Sequence, residues 1–330
     1  MKKMPKALSE FNIISRYFAP LTDNFSGAKN LKDDAAIISA KPDYEIVVTC
    51  DAIVAGVHFR SEDSPEDIAA RGLRVNLSDL AAMGAEPIGY LMALLVSPDL
   101  TEHWLERFVG QLAQDQRSYG IKLLGGDTVS APGPLALTIT AIGQVLKGEA
   151  LTRDGAKIGD RVFVSGNIGD ACLGLSILRG EVANLSDPQS KKLVDRFLRP
   201  EPRITLGQSL FNVAHAVIDV SDGLISDVGH MCAFGNLGAR IESGSIPLST
   251  GALEALKYKP DMLGNLITSG DDYELAFTAS PIAVPQLARI ALETGVAVTD
   301  IGEIVSVPGV TLVDPRGDET QLAVEGYKHF

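Results

Sequence analysis

The sequence predicts an α+β protein of two domains. Its 330 residues exceed the usual length of a single domain. Short β-branched runs alternate along the chain with longer segments in which apolar residues recur at helical spacing. The composition changes to Gly, Lys, Arg and Asp over residues 147–159. We therefore expect an N-terminal α+β domain at residues 1–148 and a C-terminal α/β domain at residues 149–330.

The composition is typical of a cytoplasmic globular protein. Apolar residues make up 45% and charged residues 22%, and no long uncharged apolar run predicts a membrane span. The basic start, Met1–Lys6, is followed by polar residues and lacks the apolar core of a secretory signal. Cys50, Cys172 and Cys232 are too few and too far apart for a disulfide framework or a CxxC metal site, so we expect reduced thiols.

The charge balance bears on the class of partner. A formal net charge of -13 argues against a nucleic-acid-binding surface, because such a surface needs clustered Lys and Arg. The same charge is compatible with a phosphorylated ligand, since bound metal ions can supply the missing positive charge.

In the N-terminal half, acidic residues recur where elements are expected to begin or end. Asp33 and Asp34 precede a short apolar run and are expected at the start of a strand. The β-branched run Glu45–Asp51 predicts a strand that delivers Asp51 to its end. Further strands are predicted at residues 88–96, 121–127 and 135–145, and helices at residues 11–18, 64–84 and 101–119. The apolar stripe of the helix at 101–119 indicates core packing rather than a cofactor site.

The helix that begins at Ser64 and Pro65 carries two chemically informative residues. Asn76 and Asp79 are three positions apart and therefore share one helix face. Gly84 supplies the left-handed residue that commonly ends a helix, so Asp79 is expected on rigid backbone near an element end. Taken alone, Asp79 reads as an ordinary solvated helix residue, and its significance depends on the other acids of the chain.

The C-terminal half repeats the pattern of acids at element ends. A strand at 161–165, a glycine loop at 166–169 and a helix at 170–178 are followed by a helix at 188–198. The loop matches neither the P-loop pattern nor the GxGxxG fingerprint. A strand at 216–219 delivers Asp219 and Asp222 ahead of another helix, without the spacing of an EF-hand. Residues 270–277 are expected to open a further strand.

Six acids at predicted element ends form the candidate site: Asp34, Asp51, Asp79, Asp127, Asp219 and Asp222. If they converge, each pair about 4 Å apart repels by roughly 4 kcal/mol at an effective dielectric constant of 20, so the cluster needs cations. Hard oxygen ligands without a His or Cys pattern favour Mg²⁺ or Mn²⁺, the ions that assist phosphoryl transfer. The alternative is six unrelated surface acids of an acidic protein.

Eight motifs carry a family resemblance: Asp33–Ala36, Thr49–Asp51 with Gly56–Phe59, Val75–Ala85, Gly125–Asp127, Leu151–Ala156, Asp219–Leu224, Ser269–Leu275 and Gly326–Phe330. In this order they resemble the thiamine-monophosphate kinases, which belong to the aminoimidazole ribonucleotide synthetase superfamily. The resemblance implies that the N-terminal domains pair in a homodimer to form a β-barrel, with ATP between the two domains. It also implies that ATP and several Mg²⁺ ions are used to convert thiamine monophosphate into thiamine diphosphate.

The same resemblance assigns roles residue by residue. It implies metal ligands at Asp34, Thr49, Cys50, Asp51, Asp79, Asp127, Asp219 and Asp222, with only the backbone of Cys50 suited to the task because a thiol is a poor magnesium ligand. It implies ATP contacts at Tyr119, Gly126, Asp127, Arg153 and Ser221. It implies substrate contacts at His58, Asp271 and Val324.

The sequence departs from the family pattern at three places. Leu31-Lys32 replaces the usual Ile-Gly before the acid pair, which reduces backbone freedom and adds a cation. Cys50 stands where Thr is common, and Val324 stands where the family has an aromatic residue against the thiamine.

Two other functions are weighed against this one. Another ATP-using member of the superfamily is the first, although selenophosphate synthetase would need a reactive residue near the N-terminus and no cysteine precedes Cys50. A non-catalytic protein that binds Mg²⁺ and nucleotide is the second. For a kinase, the excess of carboxylates over nucleophiles predicts direct transfer without a phosphoenzyme.

Overall fold

The computed structural model describes residues 10–97, 100–182 and 185–322, and the chain divides into two units. The first unit comprises the described residues up to Leu80 together with Ala85–Gly148. The second comprises Ala81–Gly84 and the described residues from Glu149 onward. No helix among the described residues has the length and apolar character needed to cross a bilayer.

The first unit is built on a four-stranded sheet. Its strands are β1 Tyr44–Val54, β2 Glu86–Val96, β3 Lys122–Ser130 and β4 Ala136–Leu146. They lie in the order β1-β4-β2-β3, in which β2 and β3 pair in parallel and the other neighbours pair antiparallel. The sheet of this unit is therefore open, with β1 and β3 at its edges.

The helices of the first unit begin where the sequence predicts. They are α1 Glu10–Ile13, which continues as a π-helix over Ile14–Phe18, α2 Pro65–Ala82 and α3 Glu102–Tyr119. The hydroxyl of Ser64 accepts the N–H of Asp67 at 3.2 Å ahead of α2, and the hydroxyl of Thr101 accepts the N–H of Trp104 at 3.2 Å at the start of α3. Both hydroxyls satisfy a backbone donor that a helix start leaves free.

One face of this sheet is covered by helix. Gly72 of α2 lies so close to the sheet that an added Cβ would come within 2.3 Å of the Leu137 side chain of β4. Leu73 and Leu77 of α2 and Phe108 of α3 are fully buried. Burial of a side chain of this size contributes roughly 1.5–3 kcal/mol, so the apolar stripe of α3 is confirmed as core.

Three strand predictions are wrong in this unit. No strand forms at residues 33–38, where the N–H of Ile37 donates to the carbonyl of Gly27 at 2.9 Å and ties the segment to a preceding 3₁₀ turn. β1 continues three residues past Asp51 and β3 three residues past Asp127. Both carboxylates sit on residues whose backbone keeps a ladder partner, Ile139 for Asp51 and Ala93 for Asp127, so neither ends its strand.

The second unit is built on a seven-stranded sheet. Its strands are β5 Arg161–Ser165, β6 Ala214–Asp219, β7 Gly238–Glu242, β8 Leu275–Ala279, β9 Val298–Val305, β10 Gly309–Val313 and β11 Glu319–Leu322. They lie in the order β11-β10-β7-β9-β5-β8-β6, and only β7 and β10 pair in parallel. The expected α/β domain is therefore built on a mixed, mainly antiparallel sheet. Apart from β10 and β11, strands that follow one another along the chain are not neighbours in the sheet, and β5, for example, lies between β8 and β9. β8 begins at Leu275, after the Gly270–Glu274 segment rather than within it.

Helices cover both faces of this sheet. They are α4 Asp170–Leu178, α5 Asp187–Leu198, α6 Ile204–Ser209, α7 Leu224–Phe234, α8 Thr250–Tyr258, α9 Met262–Thr268 and α10 Val284–Thr294. Val162 and Val164 of β5 belong to a core with α7, whereas Phe163 belongs to a core with α6 and α10. Because both faces are buried, the strand reads as a continuous apolar run.

Two helical glycines allow a test of the packing. Gly174 of α4 faces the Leu193 carbonyl of α5, and an added Cβ would lie 2.1 Å from that oxygen, whereas Gly110 of α3 has open space around it. We expect Gly174→Ala to lower stability by about 1–3 kcal/mol, because overpacking forces the helices apart. Gly110→Ala is expected to raise stability by about 1 kcal/mol, since alanine favours the helix. Urea unfolding midpoints measure both, and equal effects of the two changes would contradict this packing.

Candidate functional site

Two acids of the first unit form a carboxylate pair. Asp51 of β1 and Asp79 of α2 are hydrogen-bonded through their side chains. Burial raises the pKa of Asp51 to about 6, and the charge of Asp79 adds to that rise. The hydroxyl of Thr49 donates to Oδ2 of Asp79 at 2.5 Å. The structure thus brings together three of the predicted metal ligands.

Asn76 fixes the backbone beside this pair. Its side chain is fully buried, and Oδ1 accepts the N–H of Asp51 at 3.1 Å while Nδ2 donates to the carbonyl of Gly72 at 3.0 Å. Both ends of the amide are therefore satisfied, as a buried polar group requires. Asn76 links β1 to α2 at the point where their carboxylates meet.

A second group of predicted residues lines one cavity of about 550 Å³ in the first unit. Asp34, Gly126 and Asp127 line it together with the apolar residues Phe18 and Leu91. The cavity is thus lined by both polar and apolar groups.

The position of Gly126 requires glycine. Its φ is +152°, and an added Cβ would lie 1.9 Å from the carbonyl of Met92. Gly126 pairs with Met92, which pairs with Ile139, which pairs with Asp51, so Gly126 and Asp51 lie in one row across the sheet.

Cys50 is exposed on β1, where its Sγ accepts a hydrogen bond from the hydroxyl of Thr140 at 3.4 Å. Because side chains alternate along a strand, this thiol points away from the face of Asp51. Only the backbone of Cys50 can therefore supply a metal-ligand atom on the face of Asp51.

Two predicted contacts lie outside these groups. Nδ1 of His58 accepts the N–H of Val54 at 3.2 Å in the turn after β1. Tyr119 ends α3, where the guanidinium of Arg74 lies over its ring at 5.6 Å from the centroid, and Arg74 also donates to Asp115 at 2.7 Å. Neither His58 nor Tyr119 lines the cavity of Gly126.

The segment before the acid pair has an unusual backbone. Leu31 has φ +56°, and the two residues before it are also left-handed. A residue with a Cβ is strained in this conformation by about 1 kcal/mol or more. Lys32, which stands where the family has Gly, has φ -105°, a value open to any residue, so the replaced glycine is not required by the backbone and the strained positions are those before it.

In the second unit β6 ends at Asp219, as predicted, and the loop Val220–Gly223 leads into α7. Ser221 and Asp222 of this loop line a cavity of about 440 Å³ together with Arg153. Asp227 and His230 of α7 line the same cavity, and one ligand atom each of Asp222, Asp227 and His230 lie within 4.8 Å of one another. Burial raises the pKa of Asp227 to about 7.

Asp271 is held against this loop through its backbone. Its N–H donates to the carbonyl of Ser221 at 2.9 Å, and the N–H of Tyr273 donates to that of Val220 at 2.8 Å. Asp271 and Tyr273 have φ values of +75° and +50°. Between them Asp272 is buried and accepts the N–H of Gly169 at 2.7 Å, which anchors the segment. Val324 lies outside the described residues.

Sequence reasoning missed Asp227 and His230. Both follow Asp222 in the same run, and their spacing of three places them on one face of a helix, which is the signal that could have found them. They were passed over because they do not follow a strand directly. They lie within α7, which begins at Leu224.

Comparison with known proteins assigns the family. Residues 32–145 match the family model of the AIR synthase related protein, N-terminal domain, and residues 157–315 match that of its C-terminal domain. The thiamine-monophosphate kinase of Caulobacter vibrioides is 40% identical over 306 residues, which cover 92% of this chain and 86% of the relative.

Two solved structures share the fold. Thiamine-monophosphate kinase from Stenotrophomonas maltophilia K279a is 39% identical, covers 92% of this chain and 96% of its own, and has a TM-score of 0.84. AaThiL complexed with AMPPCP and TMP is 28% identical, covers 100% of both chains and has a TM-score of 0.76. The two-unit α+β architecture of this chain is therefore the fold of these proteins.

Replacement of Asp79 by asparagine separates charge from packing. Asp79→Asn keeps an acceptor for Thr49 but removes the negative charge beside Asp51, so we expect metal-free protein to unfold at the same temperature or a few degrees higher. We expect affinity for Mn²⁺ to fall by about tenfold or more, since one carboxylate is lost. Thermal unfolding in EDTA and calorimetric titration with Mn²⁺ measure these effects.

Asp115→Asn is the matched control. Asp115 is fully buried and pairs with Arg74, so its replacement should destabilise the metal-free protein while Mn²⁺ affinity stays unchanged. A lower unfolding temperature for Asp79→Asn in EDTA, or unchanged Mn²⁺ affinity, would contradict a shared metal site.

Proposed function

Because this chain belongs to the thiamine-monophosphate kinase family, we propose that it transfers the γ-phosphoryl group of ATP to thiamine monophosphate and forms thiamine diphosphate. The observation that carries the proposal is the placement of oxygen ligands. Thr49, Asp51 and Asp79 meet in the first unit, and Ser221 and Asp222 share a cavity with Arg153 in the second. Phosphoryl transfer depends on such positioning and on compensation of charge.

Magnesium fits the donor set. The candidate ligands are oxygens, without a cysteine pair, and carboxylates brought together in this way are stabilised by a hard divalent cation. Seven residues would hold the ions with their side chains: Asp34, Thr49, Asp51, Asp79, Asp127, Asp219 and Asp222. Cys50 would contribute its backbone only. Bound Mg²⁺ offsets the charge that develops on the transferred phosphoryl group. Several ions are proposed because the ligands form more than one group.

ATP is proposed to contact both units. In the first unit the cavity of about 550 Å³ is large enough for part of a nucleotide, and Gly126 and Asp127 are among the residues that line it. In the second unit, Arg153 supplies a fixed cation for a polyphosphate, and Ser221 lies beside it. Tyr119 is proposed as a further contact, with its ring held by Arg74.

Thiamine monophosphate is proposed to contact His58, Asp271 and Val324. The thiazolium ring of thiamine is cationic, so a carboxylate such as that of Asp271 is complementary to it. Since Nδ1 of His58 accepts a backbone N–H, a neutral ring carries its proton on Nε2, where it can donate. We assign the reaction to the cytoplasm, in keeping with three free thiols.

The first test measures the reaction itself. Purified protein with Mg²⁺, ATP and thiamine monophosphate should form thiamine diphosphate and release ADP in equal amounts. Release of ADP that does not depend on thiamine monophosphate would favour another activity of the superfamily. Binding of the nucleotide without any ADP release would favour a non-catalytic protein.

Direct transfer without a phosphoenzyme is expected, because the acceptor is a phosphate oxygen that is ionised at neutral pH and needs no strong base. Protein incubated with γ-labelled ATP and Mg²⁺, in the absence of thiamine monophosphate, should carry no label after denaturation. In a parallel sample that is not denatured, addition of thiamine monophosphate should move the label from ATP into thiamine diphosphate. Stoichiometric protein label that chases into product would refute direct transfer.

A homodimer is proposed from the open face of the first sheet. Ile46 and Val48 of β1, Leu91 and Leu95 of β2 and Val129 of β3 are 37–58% exposed on this face. Exposed apolar side chains grouped on one face of a sheet are typical of an interface. A second copy of the sheet would cover it and close a barrel across the dimer, with the first unit serving dimerisation and metal binding and the second unit completing the ATP and substrate contacts.

A charged residue on this face tests the dimer. Val48 is 58% exposed, and Val48→Glu should convert the dimer into a monomer, because a carboxylate would be buried in the interface. Light scattering coupled to size exclusion measures the mass. Ile282→Glu, at an 89% exposed position of the second unit, is the control and should leave the dimer intact. A monomeric wild-type protein would contradict the proposal.

A further inference from the structure

Three consecutive backbone N–H groups converge on one carboxylate oxygen in the second unit. Oδ2 of Asp227 accepts from the N–H groups of Ser221 at 3.0 Å, Asp222 at 3.0 Å and Gly223 at 3.1 Å. The side chain of Asp227 is 2% exposed. Hydrogen bonds to a buried carboxylate are stronger than those between neutral groups, so this contact defines the backbone of the loop.

The contact extends beyond a helix cap. Asp227 is the fourth residue of α7, and Gly223 is the N-cap residue, so the bond from the Gly223 N–H resembles the reciprocal half of a capping box. The N–H groups of Ser221 and Asp222 lie further upstream, outside the helix and its cap. The carboxylate therefore holds the loop in addition to the start of α7.

The opposite side of the loop is fixed as well. The carbonyl of Ser221 accepts the N–H of Asp271, and a Cβ added to Gly270 would lie 1.9 Å from that carbonyl oxygen. With its N–H groups turned to Asp227 and its carbonyl to Asp271, the loop has its Ser221 and Asp222 side chains in the cavity that Arg153 also lines. The loop is thus held both through its three N–H groups and through the carbonyl of Ser221.

We propose that Asp227 is a positioning residue for the reaction, which acts by holding the Ser221–Gly223 loop so that Ser221 and Asp222 meet the metal-bound nucleotide. The inference rests on the proposed function for the roles of Ser221 and Asp222. It assigns to Asp227 no contact with the reacting atoms, and it makes the loop geometry depend on an acceptor oxygen at this position.

Two variants separate the acceptor from the charge. Asp227→Ala removes the acceptor, so amide hydrogen exchange at residues 221–223 should accelerate in the metal-free protein and kcat should fall about 10²-fold, as expected for a small misplacement of reacting groups. Asp227→Asn keeps an acceptor oxygen and should restore most of the exchange protection and of the activity. Mn²⁺·AMPPCP affinity should follow the same order, with asparagine above alanine.

Asp160 provides the matched control. It is also buried, and its carboxylate accepts the N–H of Lys157 at 2.8 Å in a turn that holds none of the predicted site residues. Asp160→Ala should leave exchange at residues 221–223 and Mn²⁺·AMPPCP affinity unchanged. If it reproduces the effects of Asp227→Ala, those effects report general destabilisation and the proposal fails.

A double-mutant cycle with Asp222→Asn tests whether Asp227 acts through the loop. If it does, Asp227→Ala should lower Mn²⁺·AMPPCP affinity much less in the Asp222→Asn background than in the wild-type background. Equal factors in the two backgrounds would overturn the proposal. Exchange and nucleotide binding are measured without thiamine monophosphate, so they test Asp227 even if the protein acts on another acceptor.

Discussion

The need to hold carboxylates close together governs this structure. Two such groups about 4 Å apart repel by roughly 4 kcal/mol at an effective dielectric constant of 20, a large fraction of the stability of a domain. Asp51 and Asp79 share a hydrogen bond, and Thr49 donates a second one to Asp79. Burial, and then the charge of Asp79, raises the pKa of Asp51, so the metal-free pair takes up a proton at a higher pH than an isolated carboxylate would.

Two buried carboxylates of the second unit, Asp227 and Asp272, are met by backbone donors, whereas buried Glu274 pairs with Arg196 and Arg203. Asp227 accepts three N–H groups and Asp272 accepts those of Gly169 and Ala171. Backbone donors are fixed by the fold, so they stabilise charge without the loss of side-chain freedom that a lysine would incur. Both anchors hold segments that carry predicted site residues, and the segments are themselves bonded to one another.

The sequence predicted those features whose cause is local. The bounds of β5 and α4 agree with those predicted, and α2 begins after Ser64, whose hydroxyl accepts a first-turn N–H. The ends of β1 and β3 were missed because ladder partners such as Ile139 come from distant parts of the chain. Loop geometry was missed for the same reason, since bonds from residues 220–221 to Asp271 and Tyr273 span some fifty positions.

The three cysteines differ in chemical accessibility. Burial raises the pKa of Cys232 to about 11 and raises that of Cys172 as well, so both thiols are poor nucleophiles near neutral pH. Cys50 alone of the three is exposed. It lies on the same open face of the sheet as Ile46 and Val48, because residues two apart along a strand share a face. The native chain thus contains one exposed thiol on the face that a second copy is proposed to cover, so the rate at which Cys50 reacts with a thiol reagent measures how far that face is uncovered.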